Sequence, residues 1–175
     1  NVALCGKRVR LGTGLMLINK FRFPETYQAA AARVAELSDI LQIQSVSRDS
    51  PSSHVGLQPG DRLHALNGLE VSSGPDALQT FITSFQKAAK LAESRKNPLR
   101  LEIFRGKLKR IFLLDPVKQC DVPYDVFQDN IVNAYADGRK IVVASGMMRF
   151  ARRDADLAIV VGHEIAHNTM GHNDK

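Results

Sequence analysis

The sequence predicts an α+β protein, in which short strands and helices follow one another along the chain. Alternating apolar and polar residues indicate half-buried strands at residues 41–46, 62–66 and 99–104. Apolar residues at three- and four-residue spacing indicate an amphipathic helix over residues 75–96. Further along, an Asp137-Gly138 pair between two apolar runs indicates a tight β-hairpin.

The composition excludes several classes of protein. The chain has 175 residues, of which 44% are hydrophobic and 24% charged, as in a globular protein with one good core or two small ones. Its net charge of +6 is scattered, 6% of the residues are aromatic and Trp is absent, so we expect no nucleic-acid binding. The most apolar run, residues 157–161, is too short to span a membrane, so we expect no spanning segment. The chain begins at Asn1, with neither a Met nor a charged and then apolar leader segment. We therefore expect that any export signal or lipid anchor has been removed or is not part of this sequence.

The first half of the chain predicts a small α+β module, with its core at about residues 41–114. A helix at residues 25–37 precedes this core, and Arg105-Gly106-Lys107 joins two of its strands as a hairpin. In chain order the elements of the core are the strand 41–46, the break at Ser50-Pro51, the turn Pro59-Gly60-Asp61, the strand 62–66, the turn Asn67-Gly68, the helix 75–96, and the strands 99–104 and 108–114.

This order resembles a bacterial-type PDZ domain. The resemblance rests on the turns Ser50-Pro51, Gly56-Leu57, Pro59-Gly60-Asp61 and Asn67-Gly68. It covers roughly 75 residues and implies a PDZ-like small β-barrel or sandwich with helices. It also implies that a C-terminal peptide adds as a strand beside the long helix, with its carboxylate held by backbone N–H groups of a glycine-containing loop. The candidate for this loop consists of Gly12, Thr13, Gly14 and Leu15. A plain turn between two strands explains these residues equally well.

The last third of the chain predicts a hairpin followed by one long helix. Residues 131–136 and 139–145 are the two strands of the hairpin. Asp154 can cap the helix, which we expect to run to about Met170. The apolar residues 157–161 predict a largely buried start for this helix.

A His-Glu-x-x-His motif lies on this helix, at His163, Glu164 and His167. Four residues make about one helical turn, so both imidazoles project from one face and can bind a single zinc ion. Glu164 is offset by one position, so it reaches the attacking water rather than the metal and can act as a general base. In a purely structural helix the glutamate would be buried without a partner, which is costly. The motif therefore predicts a zinc-dependent hydrolytic site.

The third zinc ligand is not evident in the sequence. Metzincins carry a Gly and a His after the motif, where this chain has Met170 and Asn173. His172 is nine residues from His163, which on a continuing helix places it on the opposite face. Gluzincins take the third ligand from a glutamate on a later helix, and the sequence ends at Lys175 before any such helix. We therefore expect the third ligand to lie beyond residue 175 and this segment alone to be inactive.

The pattern of residues 117–175 resembles the HtpX and CAAX-prenyl-protease type of zinc metallopeptidase. The motifs that carry the resemblance are Asn133-Ala134-Tyr135-Ala136, Gly146-Met147 and Gly162-His163-Glu164-Ile165-Ala166-His167. It implies that His163 and His167 bind Zn²⁺ and that Glu164 is the general base. It also implies that the strand carrying Asn133, Ala134, Tyr135 and Ala136 is the edge along which a substrate peptide lies. The chain then divides into residues 1–116, with the PDZ-like core, and residues 117–175, the first part of a zincin-type peptidase domain.

Two cysteines, Cys5 and Cys120, bracket the PDZ-like part at its entry and exit. We hypothesise that they form a disulfide, which requires an oxidising compartment such as a bacterial periplasm. Two buried or free thiols are the alternative. We therefore expect an extracytoplasmic location, in the periplasm or anchored at the envelope.

Together these features predict a zinc metalloendopeptidase that hydrolyses peptide bonds. The family resemblance implies misfolded or envelope polypeptides as substrates, which the PDZ-like part would select or position. Two alternatives remain open. The chain can be a peptide-binding PDZ module with an inactive or incomplete peptidase part, or its last helix can have a structural role only.

Overall fold

The structure is a computed structural model that describes Cys5 and residues 8–170, and it forms two compact units. One unit comprises residues 11–117. The other comprises residues 118–170 together with the described residues up to Arg10. The sequence pattern groups the N-terminal residues with the PDZ-like part, whereas their contacts in the structure are with the second unit. Both units contain strands and helices, so the predicted α+β class is confirmed.

The unit of residues 11–117 contains an antiparallel sheet, one long helix and two shorter helices. The strand β1 (Val9–Gly12) begins in the other unit and ends in this one. The remaining strands of this unit are β2 (Leu15–Ile18), β3 (Gln42–Val46), β4 (Arg62–Leu66), β5 (Leu69–Glu70), β6 (Leu99–Arg105) and β7 (Leu108–Leu114). Its helices are α1 (Glu25–Val34), α2 (Pro51–His54) and α3 (Ala77–Arg95). The sheet order is β2-β3-β4-β6-β7, with β5 paired to β4, so β2 lies at an edge. The strands, the long helix and the hairpin predicted for this half are therefore all present.

The core of this unit lies between α3 and the sheet. Phe81, Ala89 and Ala92 of α3 are buried, and the regular spacing of these residues gives the helix one apolar face. On the sheet, Leu101 and Ile103 of β6 are almost fully buried in the same cluster. Full burial of one such aliphatic side chain stabilises the fold by about 1.5–3 kcal/mol. Hydrophobic burial therefore fixes α3 on the sheet.

Ser50-Pro51-Ser52-Ser53, expected only to break a strand, forms the short helix α2. The Ser50 hydroxyl accepts a hydrogen bond from the Ser53 backbone N–H, and the Ser53 hydroxyl accepts one from the Ser50 backbone N–H. This reciprocal pair is a capping box, and Pro51 occupies the first helical position, where its missing N–H is not needed. A serine before a proline was the signal for this helix in the sequence.

A buried ion pair holds the turn that precedes β4. Asp61 is 1% exposed, and its carboxylate accepts hydrogen bonds from Nε and Nη2 of Arg105, both at 2.7 Å. The Gln58 backbone N–H donates to the same carboxylate at 2.9 Å. Arg105 also donates to the Gly56 carbonyl at 2.9 Å. The buried charge is thus fully paired, and the end of β6 is joined to the turn of residues 56–61.

A second ion pair crosses from β6 to β7. Glu102 of β6 is 5% exposed and lies between Arg100 and Lys109, and it is ion-paired with both. The hydrogen bond from Lys109 and the charge and hydrogen bond of Arg100 hold the pKa of Glu102 below its ordinary value of 4.5. The carboxylate is therefore ionised in the folded protein at neutral pH.

We predict that Glu102→Gln destabilises the protein near neutral pH but not in acid. Because the folded-state pKa lies below the unfolded value of 4.5, the ionised carboxylate stabilises the fold above that pH. This stabilisation is lost as the pH falls through the lowered folded-state pKa. Denaturant unfolding of both proteins over a pH series measures the difference in free energy of unfolding, with the exposed Glu25→Gln as control. A difference that persists undiminished in strong acid would contradict the prediction.

The second unit is built on a three-stranded sheet. Its elements are β8 (Val117–Cys120), β9 (Tyr124–Phe127), β10 (Ala134–Ala136), β11 (Ile141–Ala144), α4 (Ser145–Phe150) and α5 (Asp154–Met170). The sheet order is β10-β11-β9, and β8 pairs separately with β1. The predicted hairpin is present as the antiparallel pair β10–β11, whereas the parallel pairing of β11 with β9 was not predicted. All four residues of β11 are buried, as expected for a central strand.

A disulfide joins Cys5 to Cys120 within this unit. The two Cα atoms are 5.3 Å apart, which is an ordinary span for a disulfide. Close to this bridge, the Arg8 carbonyl accepts a hydrogen bond from the Asp121 backbone N–H at 2.8 Å. The Arg8 guanidinium donates to the carbonyls of Gly138 and Arg139 in the hairpin turn. The N-terminal residues are thereby attached to the unit by one covalent and several polar links.

We predict that unreduced, denatured protein contains no titratable thiol and that reduction releases two. The bridge closes a loop with a sequence separation of 115 residues, so it restricts the unfolded chain strongly. Replacing both cysteines by serine should lower the free energy of unfolding by about 2–4 kcal/mol. Two free thiols before reduction would refute the bridge.

Candidate functional site

The hairpin ahead of α5 is closed by Asp137. Its carboxylate accepts hydrogen bonds from the backbone N–H groups of Arg139 at 2.8 Å and Lys140 at 2.7 Å. Both bonds lower the pKa of Asp137 from its ordinary value, and the bond from Lys140 has the larger effect. The side chain is thus an acceptor at neutral pH, and it holds the turn that aligns β10 with β11.

Gly146 allows close packing between α4 and the loop before the hairpin. A Cβ at this position would lie 2.2 Å from the Ile131 carbonyl oxygen and 2.3 Å from that of Asn130. The Gly146 backbone N–H donates to the Asp129 carbonyl at 2.8 Å. A side chain at this position would displace the loop, so glycine is required where β11 turns into α4. In the sequence this residue belongs to the Gly146-Met147 motif, but nothing there indicates the close contact with residues 130 and 131.

The start of α5 is more exposed than the sequence predicts. Ile159 is 73% exposed, and none of residues 157–161 is buried. The helix contacts β10 and β11, and this small sheet covers only one side of a helix of 17 residues. The prediction of a largely buried start is therefore wrong for the part of the chain that the structure describes.

His163 and His167 lie side by side on α5, one turn apart. Their Nε2 atoms are 2.9 Å apart, and their rings meet edge to face with centroids 4.6 Å apart. His163 is exposed, whereas Glu164 and His167 are half-buried. The helix therefore places two imidazole nitrogens at one point of its surface with a carboxylate on the adjoining residue, in the arrangement that the spacing predicts.

The histidine pair fits a zinc ion. Zinc binds imidazole nitrogen at about 2.0–2.1 Å, so one ion can contact two nitrogens that are up to about 4 Å apart. The 2.9 Å separation of the Nε2 atoms meets this condition. Among the described residues, no group of three or more His, Cys, Asp or Glu side chains is arranged to hold a metal. This part of the chain thus supplies two ligands, and His172 lies outside the described residues.

The strand predicted to bind substrate is an edge strand. In the described part of the chain, β10 stands at one end of the strand order β10-β11-β9. Tyr135 is exposed, and Ala134 and Ala136 are half-buried. Asn133 directly precedes the strand, and its carbonyl accepts a hydrogen bond from the Ala144 N–H at 3.0 Å.

The glycine-containing loop lies in the other unit, between β1 and β2. Gly12 and Thr13 are buried, and Gly14 and Leu15 are half-buried. Gly14 has a φ of +81°, a conformation that favours glycine. Sequence reasoning identified these residues but missed their partners among residues 47–52, since nothing in the local pattern indicates those contacts.

Residues 111–175 match the sequence model of peptidase family M48. The matched segment contains β11, α4 and α5 with the His-Glu-x-x-His motif, and the match supports a peptidase. No curated protein matches the chain.

Solved structures that are similar to this chain include two PDZ domains and one HtrA-type protease. The HtrA3 PDZ domain bound to a phage-derived ligand has a TM-score of 0.42 and 22% identity, covering 63% of this chain and 89% of that chain. The HtrA-type protease AlgW with a decapeptide has a TM-score of 0.42 and 17% identity, covering 63% of this chain and 30% of that chain. The PDZ domain of EpsC from Vibrio cholerae has a TM-score of 0.28 and 21% identity, covering 43% of this chain and 76% of that chain.

Of the helices in the described part of the chain, none combines the length and the apolar character that crossing a membrane requires.

We predict that Zn²⁺ raises the melting temperature of the protein and that His163→Asn and His167→Asn each abolish this rise. A ligand that binds only the folded state stabilises it by mass action, and loss of either imidazole leaves a single nitrogen ligand on α5. Differential scanning fluorimetry with and without Zn²⁺ measures the effect. His54→Asn, an exposed histidine of the other unit, is the matched control and should retain the full shift. An equal shift in all four proteins would show that the ion binds elsewhere.

Proposed function

We propose that this chain carries the zinc-binding part of a metalloendopeptidase, joined to a PDZ-like unit that binds polypeptide. The main support is the pair of Nε2 atoms of His163 and His167, 2.9 Å apart on a helix within the segment that matches peptidase family M48. The half-buried carboxylate of Glu164 on the adjoining residue completes the chemistry that peptide hydrolysis needs. Hydrolysis of a peptide bond is the reaction that best uses this group of residues.

His163 and His167 would hold the metal as neutral imidazoles. A bound zinc ion supplies Lewis acidity to the scissile carbonyl and acidifies the attacking water. The third protein ligand is not among the described residues. The sequence resemblance to gluzincins favours a glutamate for this role.

Glu164 would act as the general base. Its carboxylate accepts a proton from the water as the water oxygen bonds to the carbonyl carbon. When the C–N bond breaks, the same proton passes to the departing amine, which leaves a free carboxylate and a free amine. Glu164 returns to its ionised form, so the residue is restored after each turnover. General-base catalysis of this kind contributes about 10²–10⁴-fold to the rate.

A substrate strand would lie along the outer edge of β10. Strand addition uses backbone hydrogen bonds, so it binds many sequences, and it holds the peptide extended. Tyr135 is exposed, and the side chains of Ala134 and Ala136, which lie on the opposite face of β10, are small. This mode of binding suits unfolded polypeptides, which expose extended backbone.

The Cys5–Cys120 disulfide supports an oxidising compartment for this enzyme. The periplasm or the outer face of an envelope is such a compartment, and misfolded envelope proteins would be the substrates there. The PDZ-like unit would then capture polypeptides by their free C-termini.

We predict that the full-length protein cleaves an unfolded protein substrate and that Glu164→Gln lowers the rate by about 10²–10⁴-fold while Zn²⁺ binding is retained. Glutamine keeps the size of the side chain but cannot take up the proton. Cleavage is followed by gel electrophoresis with and without a chelator, and the exposed Glu25→Gln is the control. Full activity in Glu164→Gln, or in the presence of the chelator, would refute the proposed mechanism.

The second candidate function is peptide binding alone. It is favoured by the edge strand β2, which follows directly on the glycine-containing loop and can pair with an extended peptide. If the zinc-loaded full-length protein cleaves nothing yet binds peptides, this candidate replaces the first.

A further inference from the structure

Hydrogen bonds from three places in the chain hold the loop of residues 11–15, which we call the glycine loop. The Thr13 carbonyl accepts a hydrogen bond from the Ser52 backbone N–H of α2 at 3.0 Å. The Gly14 carbonyl accepts one from the Ser47 backbone N–H at 2.8 Å. Two successive carbonyls of the loop are therefore directed towards the same segment, residues 47–52.

These two bonds fix the direction of the loop's N–H groups. The described chain contains no cis peptide bond, and in a trans peptide the carbonyl and the following N–H point in opposite directions. Since the carbonyls of Thr13 and Gly14 point at residues 47–52, the N–H groups of Gly14 and Leu15 point away from them. Successive N–H groups held on one side of a loop form a concave site for an anion.

Packing makes this orientation rigid. A Cβ on Gly14 would lie 2.3 Å from Cβ and 2.5 Å from Oγ of Ser50, so the glycine lies directly against the cap of α2. Ser50 is in turn held by its reciprocal hydrogen bonds with Ser53. At the other end of the loop, the Leu11 carbonyl accepts a hydrogen bond from Nε2 of Gln86 on α3, at 2.7 Å. The loop is thus held from both α2 and α3.

The glycine loop lies next to an edge of the sheet where a peptide strand can be added. The glycine loop runs directly into β2, an edge strand of the sheet. A peptide that pairs with β2 would have one end at the start of this strand, next to the Gly14 and Leu15 N–H groups. The resemblance to a PDZ domain implies that this anion is the C-terminal carboxylate of the peptide, which N–H groups bind through charge-assisted hydrogen bonds.

We propose that α2 is a positioning element: Ser50 and the backbone N–H groups of Ser47 and Ser52 orient the glycine loop so that the unit selects a free C-terminal carboxylate over a blocked one. This inference rests on the proposed peptide binding by the unit. It adds to it the residues that set the selectivity, none of which touches the peptide. Ser50 acts by capping α2 and by its contact with Gly14, whereas Ser52 acts through its backbone alone.

The Ser52 hydroxyl provides a matched control. It is fully buried and has no hydrogen-bond partner among the described residues. Ser52→Ala removes this hydroxyl but keeps the backbone N–H that binds Thr13. Ser50→Ala is the same chemical change and removes a hydroxyl that caps α2. The two variants therefore separate the effect of the cap from that of losing a buried serine hydroxyl.

The test uses the immobilised full-length protein and two pools of randomised decapeptides, one with free C-terminal carboxylates and one amidated. The retained amount of each pool is measured by mass spectrometry for wild type, Gly14→Ala, Ser50→Ala and Ser52→Ala, and thermal melting confirms that each protein is folded. We expect wild type and Ser52→Ala to retain the free-acid pool about tenfold better than the amidated pool, which corresponds to one charge-assisted hydrogen bond. Ser50→Ala should lose part of this ratio and Gly14→Ala most of it, while retention of the amidated pool stays unchanged.

The outcomes distinguish this inference from the function on which it rests. If wild type retains neither pool, both the peptide-binding proposal and the inference are wrong. If wild type prefers the free acids and folded Gly14→Ala and Ser50→Ala keep the full preference, only the positioning role of α2 is refuted. A loss in Ser52→Ala as large as that in Ser50→Ala would also refute it. Should Gly14→Ala fail to fold, the comparison of the two serine variants decides.

Discussion

The buried pair of Asp61 and Arg105 is the interaction on which much of the unit of residues 11–117 depends. It joins the end of β6 to the turn of residues 56–61, and that turn follows directly on α2. Breaking a buried ion pair on one side typically costs about 3–5 kcal/mol, and less where one partner is partly exposed, as Arg105 is. The same interaction therefore stabilises the sheet and, through α2, the glycine loop.

The candidate binding surfaces of both units consist of backbone groups, which a search for sequence motifs does not detect. In the first unit, the glycine loop and the edge of β2 offer N–H groups whose direction is set by hydrogen bonds to their carbonyls. In the second unit, β10 stands at one end of the strand order and is close in sequence to the histidine helix. In the proposed function, both units would bind extended polypeptide, which carries complementary backbone groups at every residue.

Much of the fold was predictable because its signals are local. The alternation in β4 and β6, the spacing of apolar residues in α3 and the Asp-Gly turn of the β10–β11 hairpin each depend on neighbours a few residues away. The His-Glu-x-x-His motif is local for the same reason, since one helical turn brings its two histidines together. By contrast, the pairing of β9 with β11 and the exposure of Ile159 depend on which distant segments meet. No pattern within α5 indicates how little of its surface this sheet covers.

The sequence by itself determined the fold class, the order of most strands and helices, and the identity of the two histidines and the glutamate on α5. Helical periodicity alone suffices for the last of these, because the three residues lie on one turn of one helix. Only the tertiary structure decided the partners of the glycine loop, the buried pairing of Asp61 with Arg105 and the bridge between Cys5 and Cys120. These contacts join residues that are distant in sequence, and their distances follow from how the chain packs rather than from any local preference.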